Sequence, residues 1–262
     1  MEHRDMARSI AGGSGTKLTV VGVIPARMES ERLPGKVLRP ICGRPMIHRV
    51  YDAARACDAL TELCVATDSA AVGEYCASNG IAVIMTSRTH RSGTERVHEV
   101  MQSMPADVYV NIQGDEPMLQ PSHLDLLIEP FLRDPETSVT TLRTPLAPEE
   151  AANPNIVKVV TNLQSGALYF SRAAIPFCRN ASSLVPCYKH LGFYAYRAAA
   201  LRFYMRLPAS PLEEAERLEQ LRFLENGIPI HVAETPFDTI GVDTEEDLRA
   251  VTSYFENFPK PR

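Results

Sequence analysis

The chain has no apolar stretch of membrane-spanning length, which takes about 20 residues, and its first sixteen residues carry Arg4 and Arg8 without the apolar centre of a signal peptide. Residues 1–17, with Gly12-Gly13-Ser14-Gly15 near their end, read as a disordered extension, and no membrane partner is expected. Basic charge is also in short supply. The 27 Lys and Arg against 32 Asp and Glu leave a net charge of -5, the wrong balance for a general nucleic-acid binder. The six cysteines (Cys42, Cys57, Cys64, Cys76, Cys178, Cys187) form neither C-x-x-C pairs nor a zinc-ligand pattern. They read as reduced, mostly buried residues of a cytoplasmic protein, and no neighbouring base marks any of them as a catalytic thiol. The common nucleotide fingerprints are missing too: no G-x-G-x-x-G follows the first apolar run, and Lys36 has neither the upstream glycine nor the following Ser or Thr of a P-loop. No internal repeat or low-complexity block occurs.

What is present is an ordinary globular composition, 45% hydrophobic and 23% charged, in a chain of 262 residues that can bury an ample core as one large α/β domain or two modest ones. The pattern is organised around its first apolar run, 18–24, which reads as a buried parallel strand. That strand delivers Pro25-Ala26-Arg27 and, four residues on, Arg32-Leu33-Pro34-Gly35-Lys36. Arg27, Arg32 and Lys36, with Pro34 stiffening the turn and Gly35 allowing close backbone approach, suit a polyanion such as a triphosphate; a solvated basic loop has the same spacing. Helix-period and strand-period segments then alternate: a helix from Pro45 through Ala54, a strand over 63–66, a helix over 70–79 closed by Gly80, a strand over 81–85, a helix after 92–96, and a strand over 108–112. This predicts a Rossmann-like, doubly wound, mostly parallel sheet.

The strand at 108–112 ends in Gln113-Gly114-Asp115-Glu116-Pro117. A carboxylate at the C-terminal end of a central strand can reach the same crevice as the basic loop and hold Mg²⁺ there; locally, Asp115 and Glu116 would serve equally well as turn caps. From residue 138 the pattern changes to strand-like segments over 139–142, 156–160, 167–170 and 192–196, a mixed-strand extension of the sheet. A helix is predicted over 212–223 with Leu218, Leu221 and Leu224 as its core stripe, then a strand over 228–232 and a capped helix start at Thr244-Glu245-Glu246-Asp247. The division expected is an extension over 1–17 and a single domain over 18–262, with its pattern changing from alternating helix and strand over about 18–137 to mixed strands over about 138–262.

Taken together, the first loop and seven later stretches resemble one family in order and spacing. These stretches are Arg91-Ser92-Gly93-Thr94-Glu95-Arg96, Gln113-Gly114-Asp115-Glu116-Pro117, Asn153-Pro154-Asn155-Ile156-Val157-Lys158, Tyr169-Phe170-Ser171-Arg172, His190-Leu191-Gly192-Phe193-Tyr194, Leu218-Glu219-Gln220-Leu221-Arg222 and Gly241-Val242-Asp243-Thr244. The family is the sugar-activating cytidylyltransferases, within it the group that acts on 3-deoxy-manno-octulosonate rather than on sialic acid. The resemblance implies the nucleotide-diphospho-sugar transferase fold, with a nucleotide half over about 18–137 and a sugar-binding and dimerisation half over about 138–262, and transfer of the cytidylyl group of CTP to the anomeric hydroxyl of that acid, for lipopolysaccharide synthesis, in a cytoplasmic homodimer.

It also implies roles. Pro25, Ala26, Arg27, Lys36, Ser92, Gly93, Thr94 and Gln113 would bind the nucleotide, Arg32, His190, Tyr194, Glu219 and Gln220 the sugar acid, and Asp115 with Asp243 the Mg²⁺ cofactor; Lys36, Asp115, Asp243 and Arg27 would carry the chemistry. The segment between Arg179 and Tyr188 is shorter than is usual in that family. On local pattern alone three of these residues have plainer roles: His190 a hydrogen-bonded structural histidine, Glu219 part of a solvated acidic helix face, and Asp243 the N-cap of the last helix. Competing activities are the same transfer to the 8-amino analogue of the octulosonate, a uridylyl- or thymidylyltransferase, and a catalytically silent nucleotide-binding regulator.

Overall fold

The computed structural model describes residues 18–30, 32–179 and 185–257. The expected extension over 1–17, and the centre of the short segment between Arg179 and Tyr188, lie outside the described residues.

β1 (Val20–Pro25) is buried over nearly its whole length because it is covered on both faces. Its side chains divide by the two-residue period of a strand: Val20 and Ile24 enter one core and Val21 and Val23 the other. Two glycines let its neighbours close in. A Cβ on Gly22 would stand 2.8 Å from the Leu63 side chain, and one on Gly114 would stand 2.6 Å from the Pro25 carbonyl oxygen. Next in the chain come a small hairpin of β2 (Pro40–Ile41) and β3 (Arg44–Pro45), then α1 (Met46–Arg55), β4 (Glu62–Thr67), α2 (Ala70–Ser78), β5 (Val83–Met85), α3 (Gly93–Ser103) and β6 (Val108–Asn111). β1 pairs in parallel with β4 and β6, and β4 in parallel with β5.

The second half adds α4 (Pro121–Arg133), β7 (Val139–Leu146), β8 (Lys158–Thr161), β9 (Ala167–Ser171), β10 (Cys187–Arg197), α5 (Ala198–Tyr204), α6 (Pro211–Glu216), α7 (Leu221–Glu225), β11 (Ile230–Glu234) and α8 (Glu245–Asn257). The main sheet runs β11-β7-β10-β6-β1-β4-β5, with β8 and β9 attached beside β10. β10 is antiparallel to both β6 and β7, so the mixed part of the sheet is joined to the parallel part through its centre. α1, α2 and α4 cover one face, and α3, α5 and α7 the other. Full burial of each Val, Ile or Leu in these layers contributes about 1.5–3 kcal/mol.

The sequence predicts one helix over 212–223, whereas the chain breaks it in two. Arg217 adopts the left-handed conformation (φ 57°) at the end of α6, and helix resumes only at Leu221. The cause is tertiary. Leu218 turns into the core behind α3 and α5, and the Arg222 guanidinium donates from Nε to one oxygen of Glu213 at 2.6 Å and from Nη2 to the other at 2.5 Å, folding α7 back on α6. A smaller third core forms where α8 lays Leu248, Val251 and Phe255 over Leu33, Ile41 and Met46. That packing brings the end of the chain against the loop after β1. Among the described residues no helix is long and apolar enough to cross a membrane.

All six cysteines are free; Cys57, Cys64 and Cys76 are buried, while Cys42 and Cys178 are exposed and Cys187 is half-buried. Burial pushes the three buried thiols up to about 11, 12 and 11 respectively, which keeps them un-ionised.

Candidate functional site

The carboxyl ends of β1 and β6 open into a cleft of about 930 Å³, the size of a site for a nucleotide and a second small molecule. Its floor is built by close backbone approach. Gly35, with φ 68°, donates its N–H to the Met28 carbonyl and turns the basic loop back under β1. Gly114 leaves the Pro25 carbonyl the space it needs, so the tip of β6 runs alongside the tip of β1. The Val242 N–H donates to the Asp115 carbonyl at 2.9 Å and ties in the segment before α8.

Three distant parts of the sequence meet there. The Lys36 ammonium, buried, donates to Asp115 at 2.5 Å and to Asp243 at 2.8 Å, and the Arg32 guanidinium donates to the other oxygen of Asp243 at 2.7 Å. Burial lowers the Lys36 pKa, but the two carboxylates outweigh it and hold the ammonium above its ordinary value. Burial likewise raises Asp243, and the hydrogen bonds and charges of Lys36 and Arg32 bring it below the usual carboxylate range. Asp243 is therefore not the N-cap of α8. Thr244 takes that place: its hydroxyl accepts from the Asp247 N–H, and the Asp247 carboxylate accepts in turn from the Thr244 N–H.

Two carboxylates meet on one ammonium, and hard oxygen donors of this kind are the ligands Mg²⁺ takes. No group of three or more His, Cys, Asp or Glu is arranged for a metal among the described residues. A pair of carboxylates suits an ion that fills most of its shell with phosphate oxygens and water.

One wall of the cleft is the start of α3. The Ser92 hydroxyl caps it by accepting from the Glu95 N–H at 3.3 Å, and Ser92, Gly93 and Thr94 line the cleft at the positive end of the helix dipole. Pro25 and the Asn111 amide pack so close to Gly93, each 3.3 Å from where a Cβ would stand, that a side chain there would force them apart. Pro25, Gln113 and the exposed Arg27 complete this side; Gln113 also donates to the Gly192 carbonyl at 3.2 Å and links the two walls. Ala26 is buried behind it and does not line the cleft.

The opposite wall comes from β10 and from the break between α6 and α7. His190 Nε2 lies 2.8 Å from the Tyr194 hydroxyl and 3.0 Å from the Thr141 hydroxyl. Desolvation pulls its pKa down to about 3, so it is neutral. The structural histidine and the cleft residue are one and the same side chain. The broken helix sets Glu219 and Gln220 on the wall, so Glu219 is not part of a regular acidic face. Glu219 is open to the cleft, yet removal from bulk water pushes its pKa up against the stabilising hydroxyls of Thr94 and Ser92. Gln220 is buried with its Nε2 lacking a partner, a donor left for an acceptor in the cleft.

The cleft also contains residues that the sequence reading did not assign to either substrate or to the metal. Glu116 has one carboxylate oxygen buried without a partner, and burial with the neighbouring Asp115 charge pushes it up to about 7. Asn155, Ile156, Val157, Arg172 and Arg217 also line the cleft. All but Arg217 lie within the motif stretches, which was the available signal; Arg217 was hidden by the helix period around it.

Comparison with known proteins follows the same outline. The cytidylyltransferase family model matches residues 21–234. Proteins named 3-deoxy-manno-octulosonate cytidylyltransferase are similar throughout: that of Acidobacterium capsulatum is 58% identical over 90% of this chain and 96% of its own, and that of Koribacter versatilis 54% identical over 88% of each. Among solved structures, a CMP:2-keto-3-deoxy-manno-octonic acid synthetase complexed with CTP superposes with a TM-score of 0.88 at 44% identity, covering 91% of this chain and 99% of the other. A glucose-1-phosphate thymidylyltransferase from Bacillus anthracis, with a TM-score of 0.66 at 15% identity over 93% of this chain and 98% of its own, shares the fold.

Proposed function

The chain belongs to the cytidylyltransferase family, and on that premise we propose that it transfers the cytidylyl group of CTP to the anomeric hydroxyl of 3-deoxy-manno-octulosonate. The single observation that carries the proposal is the meeting of Lys36, Asp115 and Asp243 at the floor of a cleft whose two walls have different chemistry.

CTP lies against the basic loop and α3. Arg27, exposed on the cleft, and Lys36 neutralise the triphosphate, and the α3 amides at Gly93 and Thr94 add donors for an anion. The acid lies along β10 and the α6–α7 break. Gln220 offers its unpartnered amide to the carboxylate, Glu219 accepts from sugar hydroxyls, and His190 and Tyr194 set the shape of the wall. Arg32 stands between the two walls on Asp243. The anomeric oxygen attacks the α-phosphorus, the bond from that phosphorus to the bridging oxygen breaks, and pyrophosphate departs with that electron pair while the hydroxyl proton is released.

Both reactants are anions, so most of the rate comes from holding them together and from cations fixed where charge develops. A divalent cation, Mg²⁺ on this proposal, held by Asp115 and Asp243 would neutralise phosphate charge and acidify the attacking hydroxyl. Lys36 holds both carboxylates close together, and no covalent enzyme intermediate is needed.

The protein acts in the cytoplasm as a homodimer on this reading, supported by family membership and by Leu163, Leu168 and Phe177, apolar side chains 98%, 60% and 88% exposed. Sedimentation of a single monomeric species at working concentration would remove the dimer. The activity is tested by pyrophosphate release with CTP and Mg²⁺, with and without the octulosonate, alongside UTP and the 8-amino sugar. Release that requires CTP and is fastest with the octulosonate is expected; CTP binding without turnover of either sugar would overturn the assignment.

A further inference from the structure

Lys158 is a lysine with no exposure to solvent and, among the described residues, no carboxylate partner. Its ammonium donates to three backbone carbonyls, those of Asn153 at 2.9 Å, Ile156 at 2.6 Å and Arg172 at 2.5 Å. Three donors meet three acceptors, so the group is fully satisfied, and the carbonyls it gathers tie the loop just before it to the residue that follows β9. The loop over 153–157 lines the cleft, and the Val157 carbonyl at its end accepts from the His190 N–H at 2.8 Å. Arg172 continues the chain of contacts to the broken helix. Its N–H donates to the Glu216 carboxylate at 2.9 Å, its Nε donates to the Glu216 carbonyl at 2.9 Å, and the Ser171 hydroxyl donates to the same carboxylate at 2.6 Å. Glu216 is the residue immediately before the left-handed turn that carries Glu219 and Gln220 into the cleft.

We infer that Lys158 is a positioning residue: its buried ammonium fixes the loop over 153–157, the strand bearing His190 and, through Arg172 and Glu216, the α6–α7 break in one geometry, and so sets the sugar-acid wall without touching either substrate. The assignment of that wall to the sugar acid rests on the function proposed above; the mechanical coupling does not. Among the described residues Lys158 has no corresponding tie to the loop after β1 or to α3. Its loss therefore acts on one wall only.

The test is Lys158→Met, which keeps an unbranched side chain and removes the ammonium, leaving three buried carbonyls unpaired. In hydrogen–deuterium exchange of the free protein, amides over 155–157, at 190 and over 217–220 open, while those over 20–37 and 93–100 keep their protection. In steady-state kinetics the KM for the octulosonate rises by roughly tenfold to a hundredfold while the Kd of CTP, measured by calorimetry, stays within about twofold. Uniform loss of protection, no change at all, or an equal weakening of CTP and sugar would overturn the inference.

Selective opening in a protein whose unsubstituted form does not turn over the octulosonate would sustain the coupling and remove the function instead. Should Lys158→Met fail to fold, Glu216→Ala, which leaves the ammonium in place and removes the carboxylate that accepts from the Arg172 N–H and the Ser171 hydroxyl, answers the same question. Opening confined to 217–220 with a smaller rise in sugar KM is expected, and protection there equal to that of the unsubstituted protein would refute the coupling.

Discussion

The two walls of the cleft are built on opposite plans. The wall proposed to bind the nucleotide is assembled from the ends of parallel strands and one helix N-terminus, and its working groups are cations and exposed amides close to their strands in sequence. The wall proposed to bind the sugar acid is assembled from an antiparallel strand and an interrupted helix, and its groups are neutral or desolvated: a histidine held near 3, a raised Glu219 and a Gln220 amide without a partner among the described residues. On the proposed assignment the difference follows from the ligands. A triphosphate is recognised by charge, which backbone amides and a few cations supply in any α/β crevice. A sugar acid is recognised by hydroxyl geometry, which needs fixed donors and acceptors shielded from water.

The largest effect should come from the floor that both walls share. Asp115→Asn removes one carboxylate and with it a cation ligand, and kcat should fall on the order of 10²–10³-fold with the protein still folded by circular dichroism. Unchanged kcat with lowered stability would reduce Asp115 to a structural partner of Lys36.

Next is a change meant to affect one wall alone. Glu219→Gln should raise the octulosonate KM by roughly tenfold and leave CTP affinity as it was; a matching loss of CTP affinity, measured by calorimetry, would mean the walls are not separate.

The third effect is on stability. The folded pKa of His190, about 3, lies below its ordinary 6.5, so between these values the unfolded chain binds the proton and the folded one does not. Stability therefore falls as pH drops through that window and is fully present above 6.5. His190→Gln should flatten the decline in Tm between 6.5 and about pH 5, above the range where depressed carboxylates such as Asp243 titrate. An unaltered slope would mean that His190 is protonated in the native state.

The smallest effect concerns the break itself. Arg217→Gly suits a left-handed position better than any branched-backbone residue and should raise stability by up to about 1 kcal/mol; destabilisation in a denaturant melt would show the Arg217 side chain to be a needed part of the rim.

The same contrast explains how far the sequence could be followed. β1, β4 and β6 are short apolar runs ending in polar tips, and α1 and α3 have clear helical periods, so the parallel half and its basic loop could be read from local pattern. Asp115 could be placed at a strand tip. Asp243 could not be distinguished from an N-cap, because what moves it onto Lys36 is the packing of α8 over Leu33 and Met46, contacts that span much of the chain.

The helix over 212–223 has good helical periodicity and is broken by Leu218 turning into the core and by the Glu213–Arg222 pair, neither of which a period can reveal. The placement of β10 at the centre of the sheet was equally out of reach, since antiparallel insertion depends on which neighbours it finds. For the sugar-acid wall it was the resemblance to a family, through the stretches around His190 and Glu219, that named residues that local pattern assigned elsewhere.

The most direct test of the central claim, that the two walls bring an anomeric hydroxyl directly onto the α-phosphorus of CTP, is a single turnover with octulosonate labelled with heavy oxygen at the anomeric hydroxyl. The account predicts that the label appears in the bridge between sugar and phosphorus of the product and is absent from pyrophosphate. Label lost to water, or a bridge carrying only unlabelled oxygen, would contradict it.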